Sequence, residues 1–142
     1  MKPISIGQVS AQTGVAASAI RYYERTGLLQ KPARIAGRRV YDLSTIRRID
    51  LLRFSQEAGF TLDEIKVLFH GFDARTPLSA RWQKMARQKI EELDALARKV
   101  EQMKAALQLG LECGCLRIED CNLTPADAID PKAARIKGRC GC

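Results

Sequence analysis

From Leu78 to about Leu109 the chain contains neither proline nor glycine, and its apolar residues keep a heptad. Ala86, Leu93, Val100 and Leu107 recur every seven residues, and Leu96 and Met103 sit three places after Leu93 and Val100. Charged residues surround this seam. A repeat of that kind predicts a single helix of roughly 30 residues whose narrow apolar edge pairs with another helix. The part of the chain that precedes it is too small to cover such an edge. The seam asks for a second copy of itself and predicts a homodimer.

Everything else must be arranged around that rod. The chain has 142 residues, 46% hydrophobic and 6% aromatic, enough for one small helical domain beside the long helix. No apolar run approaches the ~20 residues that span a bilayer. The opening "MKPISIGQVS" lacks the apolar stretch of a secretory signal. We therefore expect a cytoplasmic protein with no membrane partner. The net charge is +8, from 24 Lys+Arg and 16 Asp+Glu. Residues 1–75 hold 12 of these cations against 7 of the anions, a net +5. A basic N-terminal part is what a phosphate-binding surface requires.

The N-terminal part reads as short helices and a hairpin. Ser5 with Gln8 three residues on forms a capping box for a helix over 5–13, which Gly14 breaks. A second helix follows from about Ala16 to Arg25 and stops near Gly27. Two helices joined by a glycine turn make a helix-turn-helix candidate. "LLQKPARIAGRRVY" (28–41) predicts a two-stranded wing with Arg34, Arg38 and Arg39 near its tip. Residues 43–60 predict a third helix with Ile46, Ile49, Leu52 and Phe54 on its buried side. Residues 61–72 predict a fourth, capped by Thr61 with Glu64, with Ile65, Leu68 and Phe69 packing inward. His70, the only histidine, ends it and suits the helix C-terminal dipole.

All five cysteines lie near the C-terminus: Cys113, Cys115, Cys121, Cys140 and Cys142. A stapled secreted domain would spread them through the chain, so the clustering points to a metal or redox site. Thiolates select soft or borderline ions such as Cu(I), Zn(II), Hg(II) or iron–sulfur clusters. Cys140 and Cys142 are possible additional ligands. Residues after Gly110 otherwise read as a loop plus a short terminal segment.

No Ser-His-Asp or Cys-His set, P-loop or dinucleotide fingerprint is present, so no enzyme is expected. A C-x-C thiol exchanger would need alternating strands and helices, which are missing. A cytosolic thiol-rich metal buffer or metallochaperone would explain the cysteines but leave the basic wing unexplained.

"IGQVSAQTGVAASAIRYYERTGLL", "GRRVYD" and "GFTLDEIK" together closely resemble the MerR family of bacterial transcription regulators, over roughly residues 4–70. The resemblance implies a mainly α protein in three parts. These are a winged helix-turn-helix DNA-binding domain (1–75), a coiled-coil dimerisation helix (76–110) and a Cys-rich effector loop and tail (111–142). It implies promoter DNA and RNA polymerase as partners. Activation would come through distortion of the promoter when an effector binds. On the recognition helix, Ala17 and Ser18 would let the backbone approach the major groove. Arg21 would contact a base or phosphate, and Tyr22 a phosphate. Arg38 and Arg39 would reach the flanking backbone from the wing. Tyr41 could do likewise or simply pack.

Two branches of the family fit the loop. "CGCLRIEDCNL" matches three of the four cysteines in the cluster loop of SoxR-type redox sensors, with Gly110 where the first would be. A [2Fe–2S] cluster normally needs four protein ligands. In the metal-sensing branch Cys113 and Cys121 mark the ends of the loop. Such sensors of divalent ions often add a cysteine at the start of the long helix, where this chain has Ser79, while Cys115 could supply a third thiolate. That combination fits Cu(I), Zn(II), Cd(II), Pb(II) or Hg(II), and the metal branch is the favoured expectation. Trp82, early in the long helix, is expected to pack between domains and to relay loop closure to the DNA-binding half.

Overall fold

The computed structural model describes residues 2–136, so Cys140 and Cys142 lie outside the described residues. No helix among the described residues is long and apolar enough to cross a membrane. The chain divides into two compact units, Met1–Lys89 and Ile90–Cys142.

The first unit opens with α1 (Ile6–Thr13), which carries the Ser5–Gln8 capping box. Gly14 stops it with φ +71, a left-handed conformation that glycine adopts without steric cost. Thr13 then shapes the turn. Its hydroxyl donates to the Val9 carbonyl at 2.8 Å and accepts the Val15 N–H at 3.3 Å. Arg53, from a later helix, donates to the Thr13 carbonyl at 2.8 Å, so a chain end that α1 leaves unpaired is satisfied. The second helix, α2 (Ala17–Arg25), begins at Ala16 with no side-chain cap.

The wing is a hairpin of β1 (Ala33–Ile35) and β2 (Arg38–Val40), antiparallel, with Ala33 opposite Val40 and Ile35 opposite Arg38. Its two turn residues, Ala36 and Gly37, have φ +49 and +77. Such a primed two-residue turn matches the strand twist. A bridge between Ile4 and Tyr41 ties the hairpin to the N-terminus.

Helix α3 (Leu43–Glu57) is capped by Asp42, whose carboxylate accepts the Ser44 and Thr45 amides. The Ser44 hydroxyl, aided by those amides, holds the Asp42 carboxyl below its usual range. Helix α4 (Leu62–His70) has the Thr61–Glu64 capping box, and α5 runs unbroken from Leu78 to Leu111.

Two apolar clusters hold the unit together. Val9, Val15, Ile20, Leu29, Tyr41 and Ile49 form one, and Leu28, Leu52, Phe60, Ile65, Leu68 and Met85 the other. Tyr23 packs against both. Phe54 departs from expectation: it is 61% exposed. Ile49, Leu52 and Ser55 form the buried face of α3 at three-residue steps, and Phe54 falls two positions from Leu52, on another side of the helix. Its ring instead meets Trp82 at 5.6 Å between centroids, and Trp82 also meets Phe60 at 5.5 Å. The connection 71–77 is pinned by Arg81, whose guanidinium donates to the carbonyls of Phe69 at 3.0 Å and Thr76 at 2.9 Å.

In the second unit, α5 continues and carries the heptad seam. Leu93, Leu96, Val100, Met103 and Leu107 are all exposed in the single chain. The residues beyond α5 hold more regular structure than a loop and a short segment. After a 3-10 turn at Ile118–Asp120 come α6 (Pro125–Ile129) and α7 (Pro131–Ile136). The capping signal was present: Thr124 starts α6, Pro125 occupies its first turn, and Asp127 closes the capping box. Leu109, Pro131 and Ala134 are buried here. Arg135 of α7 pairs with Glu112, just past α5.

Candidate nucleic-acid interface and metal centre

The recognition-helix candidates occupy one side of α2. Ser18 and Arg21 are exposed, Tyr22 is 45% exposed, and Ala17 is half-buried. Because Ala16 offers no side-chain cap, the first amides of α2 have no partner of that kind. An uncapped helix start with small residues around it is a place for an anion, since its N–H groups and dipole both favour negative charge. Arg25 lies over the Tyr22 ring, 6.0 Å from its centroid.

The wing residues are placed differently from one another. Arg34 and Arg38 are exposed, and Arg34 donates to the Gly37 carbonyl at 3.0 Å, bracing the turn. Arg39 is half-buried and pairs with Glu24 at 3.4 Å. Tyr41 is 6% exposed, and its hydroxyl donates to Glu24 at 2.5 Å. Burial, and then the hydrogen bond and charge of Glu24, push the Tyr41 hydroxyl well above the ordinary tyrosine range. Buried Glu24 thus collects Arg39 from the middle of β2 and Tyr41 just past it, and locks the wing to α2.

Sequence reasoning missed Glu24. The available signal was its position among Arg21, Tyr22 and Arg25: a carboxylate facing phosphate would repel it, so this one had to face inward. Lys89 was missed as well. It is buried, lies 5.3 Å from the Phe60 ring centroid, and pairs with Glu64 at 3.0 Å. Partial burial alone would push the Glu64 carboxyl up. The Thr61 amide, the Lys89 ammonium and the Thr61 hydroxyl outweigh it and hold the group below its ordinary value.

In the second unit, Cys113, Cys115 and Cys121 come together. Their sulfur atoms all lie within 4.8 Å of one another. Cys113 and Cys115 are half-buried and their sulfurs are 2.7 Å apart, while Cys121 is exposed. Cys121 carries a free thiol. The fold brings them together in two steps. The backbone turns off the end of α5, with the Cys113 N–H donating to the Gly110 carbonyl at 3.2 Å. The 3-10 turn then returns the chain, with the Cys121 N–H donating to the Ile118 carbonyl at 3.1 Å. Arg117 and Asp120 form an ion pair of 3.2 Å across that return. Among the described residues the donor set is three sulfurs, with no histidine or carboxylate in the cluster. It suits a soft or borderline ion and not a hard one.

Comparison with known proteins bears on the head and on the long helix. Residues 4–71 match the family described as MerR HTH family regulatory protein, and residues 46–109 match the one described as MerR, DNA binding. An HTH-type transcriptional activator SoxR homolog from Chromobacterium violaceum is 33% identical over 129 residues, covering 87% of this chain and 84% of its own. Heavy metal-dependent transcription regulator 1 from Rhizobium meliloti is 32% identical over 143 residues and covers 97% of each chain. Among solved structures, the transcription regulator PbrR691 from Ralstonia metallidurans CH34, in complex with lead(II), has a TM-score of 0.53. Its identity is 27%, over 83% of this chain and 94% of that one. With the winged helix-turn-helix, the long helix and these likenesses in agreement, the chain belongs to the MerR family of transcription regulators, proteins that govern transcription and are not enzymes.

Proposed function

We propose that this chain is a cytoplasmic, homodimeric regulator that binds promoter DNA and distorts it to activate transcription when Cys113, Cys115 and Cys121 capture a soft or borderline metal ion. The observation that carries the reading is the convergence of three sulfurs within 4.8 Å, just beyond a helix whose apolar seam is uncovered. Support from likeness comes from a heavy-metal-dependent relative and from a structural neighbour that holds lead(II). Cu(I), Zn(II), Cd(II), Pb(II) and Hg(II) are the ions this donor set would take.

DNA contacts are assigned to Ser18, Arg21 and Tyr22 on α2 and to Arg38 at the wing tip, which are the exposed members of the set, with half-buried Ala17 letting the backbone come close. Arg39 and Tyr41 act from behind, through Glu24, by fixing the wing's angle. Phosphate contacts of this kind position the dimer, and deformation of the spacer lets RNA polymerase engage. The seam of α5 is the dimer contact. Each Leu, Val or Met it buries contributes about 1.5–3 kcal/mol.

The second reading, a SoxR-like sensor with a [2Fe–2S] cluster, draws on the SoxR homolog likeness. Its fourth ligand would have to be Cys140 or Cys142. A thiol-rich buffer is the weakest reading, since it has no use for a MerR head. Anaerobic purification separates them. A colourless protein that takes up one thiolate-bound ion per chain supports the metal reading. A red-brown protein with about two irons per chain overturns it in favour of the cluster. Cys113→Ser and Cys121→Ser are expected to abolish induction while DNA binding persists. Full induction in either variant would refute the ligand assignment.

A further inference from the structure

We infer that the cleft between α2 and the wing seats one phosphate group of the DNA backbone, held by Arg25 and Lys31, neither of which is among the contacts assigned above. This rests on the DNA-binding reading and deepens it.

The local chain sets both side chains in place. Leu28 and Leu29 are buried and anchor the backbone where it leaves α2. Lys31 follows, and Pro32 after it restricts the Lys31 backbone to extended conformations. The Lys31 side chain therefore starts from a fixed place at the foot of the wing. Arg25 lies one turn beyond Arg21 on α2, so the two share a face. Its guanidinium rests over the Tyr22 ring, 6.0 Å from the centroid. Arg25 and Lys31 line one cavity of about 300 Å³, together with Glu24, Pro32, Arg34 and Arg39. A water takes about 30 Å³ of liquid, so a phosphate group fits with water beside it.

Charge selects the occupant. Four cations and one carboxylate line the cavity, a net +3. The carboxylate is committed inward: Glu24 is buried, accepts the Tyr41 hydroxyl and pairs with Arg39. Arg34 donates to the Gly37 carbonyl. Arg25 and Lys31 are exposed, and among the described residues neither forms an ion pair. Cations of one sign gathered around a cleft focus the field and draw an anion in. The cleft lies between the two elements that carry Arg21, Tyr22 and Arg38, so the anion brought to it by those contacts is a phosphate of the same duplex. Such a contact carries no sequence information of its own. It sets how deeply α2 enters the groove and where the wing tip lands.

The test uses the full-length protein and the duplex immediately upstream of its own coding sequence. Arg25→Ala, Lys31→Ala and the double variant are compared with the wild-type protein, and unchanged melting and helix content show that they are folded. Each single variant is expected to bind about tenfold more weakly. The double variant is expected to lower the slope of log affinity against log salt by about one unit per half-site. A neutral methylphosphonate is then moved linkage by linkage through a synthetic copy of the duplex. One position per half-site should reproduce the loss in the wild-type protein and add nothing in the double variant. Wild-type affinity in either single variant overturns this inference. So does a slope change of about two units per half-site, which means two separate phosphates. Unchanged DNA binding with reduced transcription assigns the cleft to an acidic protein surface instead and overturns it as well. Inorganic phosphate held through Arg25 and Lys31, with DNA binding indifferent to both, reassigns it to a free anion. If the wild-type protein gives no specific band with this duplex, the DNA-binding reading itself falls.

Discussion

Glu24 shows how much one side chain sets in this molecule. It is buried and accepts from Tyr41 while pairing with Arg39. Glu24→Ala strands both partners, and we expect a loss of about 1–3 kcal/mol in urea unfolding. Tyr41→Phe removes only one hydrogen bond, and about 1 kcal/mol is expected. Both should weaken operator binding through the wing without touching DNA. Glu64 gives a pH signature. Its folded carboxyl is held below the ordinary glutamate value of 4.5, so its contribution to stability is complete above that pH. The contribution fades as the pH falls through the lower, folded value. Glu64→Gln should therefore flatten the acid side of a stability-versus-pH curve measured by thermal melting, while the ion pair with Lys89 is lost at every pH.

At the scale of elements, α5 and its approach matter most. Val100 lies mid-seam and is exposed in the single chain. Val100→Glu places a charge in the proposed contact and should convert a dimer into a monomer in sedimentation equilibrium, with helix content in solution reduced. Arg81 binds the end of α4 and the following connection to the first turns of α5. Arg81→Met should leave the helices intact and make residues 71–77 newly sensitive to limited proteolysis. The helices α1 to α5 were legible because their signals are local: capping boxes at Ser5 and Thr61, glycine at 14, and a heptad without interruption. Phe54 was misjudged because hydrophobicity was read without its angle on the helix. Helices α6 and α7 were less legible because they are short, five and six residues, and the start signal at Thr124, Pro125 and Asp127 lies among prolines and cysteines.

For the whole molecule, composition alone set the sulfur loop apart, since all five cysteines gather at one end of the chain, whereas the 24 Lys+Arg divide evenly, 12 in residues 1–75 and 12 in residues 76–142. What could not be read was the pairing of distant residues. Glu24 with Tyr41, Arg53 with Thr13 and Lys89 with Glu64 depend on tertiary closure, which a linear pattern does not encode. The three ligand candidates were legible because Cys113, Cys115 and Cys121 are near one another in the chain itself. At this scale the electrostatic footprint is testable: Arg38→Ala should weaken binding similarly across DNA sequences and lower the salt slope by about one unit.

The three sulfurs stand on a short return of backbone between α5 and α6, where a side chain added at Gly114 would meet nothing within 4 Å. Such a segment tolerates exchange. If the proposed site senses an ion, a donor gained or lost there changes its selectivity without renegotiating the packing of the head or the rod. Diversification of such sensors would then proceed at a handful of codons, and the rest of the gene would be free to stay as it is.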